Sequence, residues 1–157
     1  MPAPRMKDRR PDYPDMAKQL RNATVYVVDD DAQVRNSIQL VAHSIQLNTE
    51  VYDSAKAFLE KFRPDIVSCL ILDVYLPGHN GVDLLDTLRE RNQMIPTIVI
   101  TAYGEVPTAV RAMKAGAIDF VQKPFNREQL INLIRRALIG PEEHRARTPD
   151  SLEAAER

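Results

Sequence analysis

The stretch TVYVVDDDAQVRNSIQLVAH, residues 24–43, combines an apolar run, three consecutive aspartates and a segment with helical spacing. The β-branched and aromatic residues of Thr24–Val28 predict a buried β-strand, and the pattern of Ala32–Ser44 predicts an amphipathic helix. The acids Asp29, Asp30 and Asp31 therefore stand where the strand ends. Because adjacent carboxylates repel and burial disfavours their ionised form, such a cluster needs a compensating partner.

The same alternation of strand and helix repeats four more times outward from this unit. Further strands are predicted at Thr49–Tyr52, Val67–Leu72, Thr97–Ile100 and Phe120–Gln122. Further helices are predicted at Ser54–Phe62, Gly81–Arg91, Val106–Ala115 and Arg127–Leu138. The run IVSCLIL, residues 66–72, is nearly all apolar, which is typical of a central strand buried on both faces. We therefore predict an α/β doubly wound (βα)5 fold, a three-layer sandwich around a five-stranded parallel sheet.

Residues with known boundary preferences flank the predicted helices. Asp31 is predicted to cap the first helix, and Asn126 with Gln129 resembles a capping box before the last one. Pro107 suits a first helical turn, and Gly116 is a stop signal after the fourth helix.

The last helix carries one broad apolar stripe, which predicts the face that it buries. Leu133 lies off the centre of this stripe, and we expect it to be exposed. The stripe itself consists of Leu130, Ile131, Ile134, Ala137 and Leu138.

Length and composition favour one domain with tails. The 157 residues divide into an N-terminal extension (1–23), a domain (24–138) and a C-terminal tail or linker (139–157). The formal net charge of −1 gives no argument for nucleic acid or membrane as a partner. A single cysteine, Cys69, excludes an intramolecular disulfide and is compatible with a reducing cytoplasm. No secretory signal or spanning segment is evident, so we expect a cytoplasmic protein.

Four predicted strands end in side chains with complementary chemistry. Strand one ends at the three aspartates, strand three at Asp73, strand four at Thr101 and strand five at Lys123. In doubly wound sheets, sites form beyond the carboxyl ends of the strands. Clustered carboxylates favour a hard divalent cation such as Mg²⁺, while a hydroxyl and an ammonium complement phosphoryl oxygens. A carboxylate can also accept a phosphoryl group as nucleophile, and Asp73 is the best candidate for that role.

Three segments then resemble a known family: VVDDDAQVR, LILDVYLPGHNGVDLL and PTIVITAYGEVPTAVRAMKAGAIDFVQKPF. They are similar to the receiver domain of bacterial two-component response regulators, over about residues 23 to 138. Within that family they look most like the FixJ-type branch, whose members usually carry a LuxR-type DNA-binding domain after the receiver. The resemblance implies a flavodoxin-like sheet with strand order 2-1-3-4-5.

The resemblance also implies a role for each matching residue at the site. Asp73 is the phosphoacceptor, modified by a phosphohistidine of a partner histidine kinase. Mg²⁺ (or Mn²⁺) is held by Asp29, Asp30, Asp73 and the backbone carbonyl of Tyr75. Lys123 contacts the phosphoryl group, and the Lys123–Pro124 peptide is expected to be cis. The family catalyses only its own phosphorylation and dephosphorylation, so no further enzymatic activity is expected.

Other matching residues imply a switch. Thr101 is expected to donate its hydroxyl to the phosphoryl group, and the small Ala102 leaves access to it. Phe120 occupies the position of an aromatic residue whose rotamer reports activation. Tyr75 and Tyr103 are bulky enough to shield the acyl phosphate from water.

The partners and the output leave alternatives open. FixJ-type receivers use the face of helix four, strand five and helix five to dimerise, and Val106, Val110, Met113 and Leu133 favour such a surface. Residues 139–157 are too few for a helix-turn-helix, so nucleic-acid binding is not expected of this chain itself. The chain is then a truncated transcription factor, a stand-alone receiver or a phosphorelay protein.

Two further functions compete with a receiver. An aspartate-nucleophile phosphatase of the haloacid dehalogenase type would use Asp29 and Asp31, but Asp73 then lacks a role. A flavodoxin-like nucleotide carrier would need a phosphate loop rich in backbone N–H groups, whereas DDDAQ offers carboxylates that repel phosphate.

Overall fold

The computed structural model describes residues 20, 22–64, 66–76, 79–102 and 105–139. Five main strands and five helices alternate along this part of the chain from residue 24 onward. The strands are β1 (Thr24–Val28), β2 (Asn48–Tyr52), β3 (Ser68–Asp73), β4 (Thr97–Thr101) and β5 (Asp119–Gln122). The helices are α1 (Ala32–Ser44), α2 (Ala55–Lys61), α3 (Gly81–Glu90), α4 (Val106–Lys114) and α5 (Arg127–Ile139).

The five strands form one parallel sheet in the order β2-β1-β3-β4-β5. This confirms the predicted doubly wound fold and its strand order 2-1-3-4-5. All six residues of β3 are buried, as predicted for the central strand. The predicted and observed element boundaries differ by at most one residue.

Successive strand residues point to opposite faces of the sheet and so supply two separate cores. On one face, Tyr26 and Leu70 pack with side chains of α2, α3 and α4. On the other face, Val25 and Ile71 pack with side chains of α1 and α5. The sheet and the helices packed on each of its faces form the three layers of the sandwich. The two cores fix the helices to the sheet.

The predicted helix boundaries rest on the expected side chains. The Asp31 carboxylate accepts a hydrogen bond from the Gln33 N–H, 2.9 Å away, as an N-cap of α1. Asn126 likewise accepts one from the Gln129 N–H at 2.7 Å. Gly116 follows α4 with φ of +120°, a conformation that residues with a Cβ rarely adopt.

One expectation about the last helix was wrong: Leu133 is buried, with 6% of its surface exposed. It belongs to the core that also contains Ile38 and Ala42 of α1. Because α5 packs against α1 as well as against the sheet, it buries a wider face than a stripe toward the sheet alone requires.

One feature lies outside the predicted pattern of five strands. Tyr75–Leu76 and His79–Asn80 form a short antiparallel ribbon between β3 and α3.

No helix in the described part of the chain combines the length and the apolar character that crossing a bilayer would require. The segments 1–23 and 139–157 lie outside the described residues, except for residues 20, 22, 23 and 139.

Candidate functional site

The register of the sheet brings the strand ends together. Val28 pairs with Leu72, so Asp29 and Asp73 are the next residues along adjacent strands. On the other side of β3, Asp73 pairs with Ile100, which places Thr101 one residue beyond. Thr101 pairs in turn with Gln122, so Lys123 directly follows β5 at the same edge. Parallel register thus places these four side chains at the carboxyl edge of the sheet.

Three carboxylates meet there. One oxygen from each of Asp29, Asp30 and Asp73 lies within 4.8 Å of the other two. Asp29 is fully buried and Asp73 is 7% exposed, whereas Asp30 is exposed. One oxygen of each buried carboxylate accepts a backbone hydrogen bond: Asp29 Oδ1 from the Asp31 N–H at 2.9 Å, and Asp73 Oδ1 from the Tyr75 N–H at 3.0 Å.

Lys123 faces the two remaining oxygens. Its Nζ lies 3.5 Å from Asp73 Oδ2 and 3.7 Å from Asp29 Oδ2. Its backbone N–H donates to the Thr101 carbonyl at 2.8 Å, which fixes the start of the side chain at the sheet edge. One ammonium therefore faces two buried carboxylates and cannot neutralise both.

Burial changes the acidity of both buried carboxyls. Desolvation is the largest cause, and it raises the pKa of Asp29 from 3.8 to about 6. The Asp31 N–H lowers this pKa, the Asp73 charge raises it and the Lys123 charge lowers it. The pKa of Asp73 is also raised, again mainly by burial and against the Tyr75 N–H and Lys123. Ionised, the pair carries an uncompensated negative charge.

A hard divalent cation fits this donor set. All three groups offer carboxylate oxygen, the ligand type that Mg²⁺ and Ca²⁺ prefer. Asp29 Oδ2 is buried and has no hydrogen-bond partner among the described residues. A buried oxygen left without a donor is costly unless something else satisfies it. The arrangement can therefore bind a metal ion beside Asp73.

Two residues shape the site without having been predicted to do so. Arg35 in α1 donates from Nη1 to the Asp29 carbonyl at 2.8 Å and so anchors the acidic loop. Gly81 lies so close beneath β3 that a Cβ there would stand 2.9 Å from the Asp73 carbonyl oxygen. The spacing of one helical turn from Asp31 to Arg35 was a sequence signal for the role of Arg35. No local sequence pattern indicates the role of Gly81, because it depends on a tertiary contact.

The predicted switch residues differ in their burial. Thr101 is fully buried, and its hydroxyl has no hydrogen-bond partner in the described part of the chain. The exposed Ala102 donates its N–H to Glu105 Oε1 at 3.1 Å. Phe120 in β5 is 38% exposed.

Four other predictions have separate outcomes. The Lys123–Pro124 peptide bond is cis. Tyr75 is half-exposed, and its hydroxyl shares a hydrogen bond of 3.1 Å with Thr108 Oγ1 in α4. Tyr103 lies outside the described residues. Asp31 caps α1 and is not among the three clustered carboxylates.

Comparison with known proteins adds the family. The family model described as "Response regulator receiver domain" matches residues 25–135. The chain is 39% identical over 136 residues to the response regulator protein TodT of Pseudomonas putida, covering 87% of this chain and 60% of TodT. It is 44% identical over 115 residues to the transcriptional regulatory protein FixJ of Rhizobium meliloti, covering 73% of this chain and 56% of FixJ.

A solved structure agrees with these relatives. The crystal structure of FixJ-N superposes with a TM-score of 0.70 and is 41% identical, covering 76% of this chain and 96% of that one. The chain thus spans 60% or less of the length of TodT and FixJ, and most of FixJ-N. On the matched residues, their identity and the shared fold, the chain belongs to the receiver-domain family of two-component response regulators.

Proposed function

We propose that this receiver accepts a phosphoryl group on Asp73 from a partner histidine kinase in a reaction that requires Mg²⁺ or Mn²⁺. One observation carries the proposal. A buried carboxylate pair, Asp29 and Asp73, shares one ammonium, with Lys123 Nζ 3.5 Å from Asp73 Oδ2 and 3.7 Å from Asp29 Oδ2. This geometry joins a nucleophile, a charge-neutralising cation and two metal-ligand oxygens.

The chemistry is a transfer between two groups. Asp73 Oδ2 attacks the phosphorus of the phosphohistidine, the O–P bond forms and the P–N bond breaks. The electron pair of that bond returns to the imidazole, which takes up a proton. Phosphoryl transfer depends mainly on positioning and charge stabilisation, which suits a site made of short fixed strand ends. The Tyr75 N–H holds Asp73 Oδ1 and leaves Oδ2 toward Lys123.

The metal would be held by the carboxylates of Asp29, Asp30 and Asp73, with the Tyr75 carbonyl as the fourth protein ligand that the resemblance implies. Once bound, it supplies positive charge to the acceptor and to the phosphoryl oxygens. Asp29 Oδ2 supports this assignment, because it is buried and accepts no hydrogen bond from the described residues, and a metal would satisfy it.

The proposed switch uses groups that gain a partner only after transfer. The Thr101 hydroxyl, which has no hydrogen-bond partner among the described residues, can donate to a phosphoryl oxygen, and Lys123 can pair with the phosphoryl charge. A ligand shifts an equilibrium only through contacts that differ between the two states, and these contacts differ in that way. Phe120, part-exposed on β5, would turn inward as Thr101 moves.

We further propose transcriptional control as the output, with a homodimer as the active form. The first part is supported by the name of FixJ, a transcriptional regulatory protein that is 44% identical to this chain. The second is supported by an apolar surface on α4 and β5. It comprises Val106, Val110 and Met113 of α4, Phe120 of β5, and Ile118 just before β5, all at least 37% exposed.

Phosphorylation by a small phosphodonor tests the site. Incubation with acetyl phosphate and Mg²⁺ should add one phosphoryl group, detected as a mass increase, and chelation of the metal should prevent it. Asp73→Asn should abolish the modification. Asp53→Asn is the matched control, because Asp53 also follows a strand, β2, but is exposed and lies outside the cluster. Wild-type modification of the Asp73→Asn variant would contradict the assignment.

A further inference from the structure

A hydrogen bond connects the acceptor loop to helix α4. The Tyr75 hydroxyl and Thr108 Oγ1 are 3.1 Å apart, although the residues belong to different elements. Tyr75 lies in the short ribbon that follows β3, and Thr108 lies in the first half of α4. This bond is therefore a side-chain link between the segment after Asp73 and the helix that carries the exposed apolar surface.

The other end of Tyr75 is bound to Asp73 itself. Its backbone N–H donates to Asp73 Oδ1 at 3.0 Å. A single residue thus contacts the acceptor carboxylate through its main chain and α4 through its phenol. The two contacts are joined by one tyrosine side chain, which has only two rotatable χ angles.

The Thr108 hydroxyl depends on this hydrogen bond more than the Tyr75 hydroxyl does, because Thr108 is more deeply buried. Thr108 is 5% exposed, so its hydroxyl requires a protein partner, and Arg111 Nη2 is a second, more distant one at 3.4 Å. Tyr75 is 50% exposed, so water could satisfy its hydroxyl equally well. The Tyr75 hydroxyl therefore does not need this bond, whereas the bond gives the buried Thr108 hydroxyl of α4 a partner.

The outward face of α4 is joined to this contact through the helix. Thr108, Ala109 and Ala112 face inward, while Val106, Val110 and Met113 are exposed on the other side. Because a packed helix moves as a unit, a displacement at Thr108 also moves the exposed apolar residues.

We propose that the Tyr75–Thr108 hydrogen bond couples the state of Asp73 to the position of α4. Tyr75 and Thr108 are then positioning residues that form a route separate from Thr101. The inference rests on the proposed phosphorylation of Asp73. By linkage, whatever changes this bond on one side changes the equilibrium on the other side to the same extent.

The test measures modification and helix response separately in the full chain. Acetyl phosphate with Mg²⁺ is the phosphodonor, mass spectrometry gives the modified fraction, and hydrogen–deuterium exchange reports on residues 106–114. In wild type, modification should change the exchange rate of α4. In Thr108→Val, fully modified protein should show a change smaller by about threefold or more, the effect of one lost hydrogen bond.

Two matched variants separate coupling from packing. Thr108→Ser keeps the hydroxyl and should restore the wild-type response. Thr87→Val makes the same change in α3, where the hydroxyl donates to the Asp83 carbonyl of its own helix at 3.0 Å, and should also respond as wild type. Tyr75→Phe, at a half-exposed position that tolerates the change, should reduce the response, and the double variant should lose no more than either single variant.

The outcomes distinguish this inference from the proposed function. If wild type is modified and its α4 responds, a full response in both Thr108→Val and Tyr75→Phe overturns the coupling alone. A modified wild type without any change in α4 overturns it as well. Failure to modify wild type at Asp73 would instead remove the proposed function on which the coupling rests.

Discussion

At the scale of single residues, Asp29 combines two opposing requirements. Its carboxylate must be ionised to bind a metal, yet full burial raises its pKa to about 6. The Asp31 N–H and Lys123 offset only part of this cost. Its burial therefore weakens the metal-free fold, as is common for groups at functional sites.

The pH dependence of stability should reveal this conflict. The folded-state pKa of Asp29 lies above the unfolded value of 3.8, so its contribution to stability is fully present below about pH 4. That contribution is lost as pH rises through about 6. A shift of this size corresponds to about 2–3 kcal/mol. In metal-free protein, Asp29→Asn should therefore reduce the decline in the free energy of unfolding between pH 4 and 7, measured by urea denaturation, and leave the part that comes from Asp73, whose pKa is also raised.

Asp53→Asn serves as the exposed control and should leave the decline unchanged. Added Mg²⁺ should offset the decline in wild type, because the ionised carboxylates bind the metal and protons compete with it. Parallel pH curves for wild type and Asp29→Asn in chelator would contradict this account.

At the scale of the elements, the start of α3 packs closely against β3, the strand that ends at Asp73. The Gly81 N–H donates to the Val74 carbonyl at 2.7 Å, and the absent Cβ permits this approach. Asn80 caps the same helix by accepting from the N–H groups of Val82 and Asp83 at 2.9 and 3.2 Å. Gly81 therefore sets the distance between α3 and β3, and Asn80 sets where α3 begins.

Substitutions at these neighbours should separate the two roles. In Gly81→Ala, the Cβ would lie 2.9 Å from the Asp73 carbonyl oxygen and 3.0 Å from Val74 Cα. We expect a loss of about 1–3 kcal/mol in stability from overpacking, together with slower phosphorylation of Asp73. Asn80→Ala should cost about 1 kcal/mol through the lost cap and leave the phosphorylation rate near wild type. Equal phosphorylation rates in both variants would show that the spacing beneath Asp73 is unimportant.

At the scale of the whole molecule, α5 and α4 differ in how much apolar surface they leave exposed. Core side chains of α5 bury it against α1 and the sheet, and this includes Leu133. On α4 and β5, by contrast, the large apolar side chains of Val110 and Phe120 remain exposed. An exposed apolar patch of this kind marks a site for association more often than scattered single residues do.

Association should follow phosphorylation and depend on that patch. With acetyl phosphate and Mg²⁺, sedimentation velocity should show a shift from monomer toward dimer. Val110→Glu places a charge in the patch and should reduce dimer affinity by about tenfold or more. Leu40→Glu is the matched control, since Leu40 is 71% exposed but lies on α1. Equal dimerisation of the two variants would exclude the α4–β5 surface.

The order of the strands and helices could be predicted from the sequence alone. Period-two and period-3.6 patterns, with caps such as Asp31 and Asn126, determine where strands and helices begin, because these signals are local. The acids after β1 and β3, with Thr101 and Lys123, were also predictable. Parallel strands place their carboxyl ends at one edge whatever fills the core.

Only the tertiary structure decided how those side chains meet. The distances from Lys123 to two carboxylates, the contact of Gly81 with β3 and the burial of Leu133 against α1 depend on register and packing. The bond between Tyr75 and Thr108 joins residues that are 33 positions apart. Such contacts arise from how helices settle on the sheet, so no local pattern in the chain encodes them.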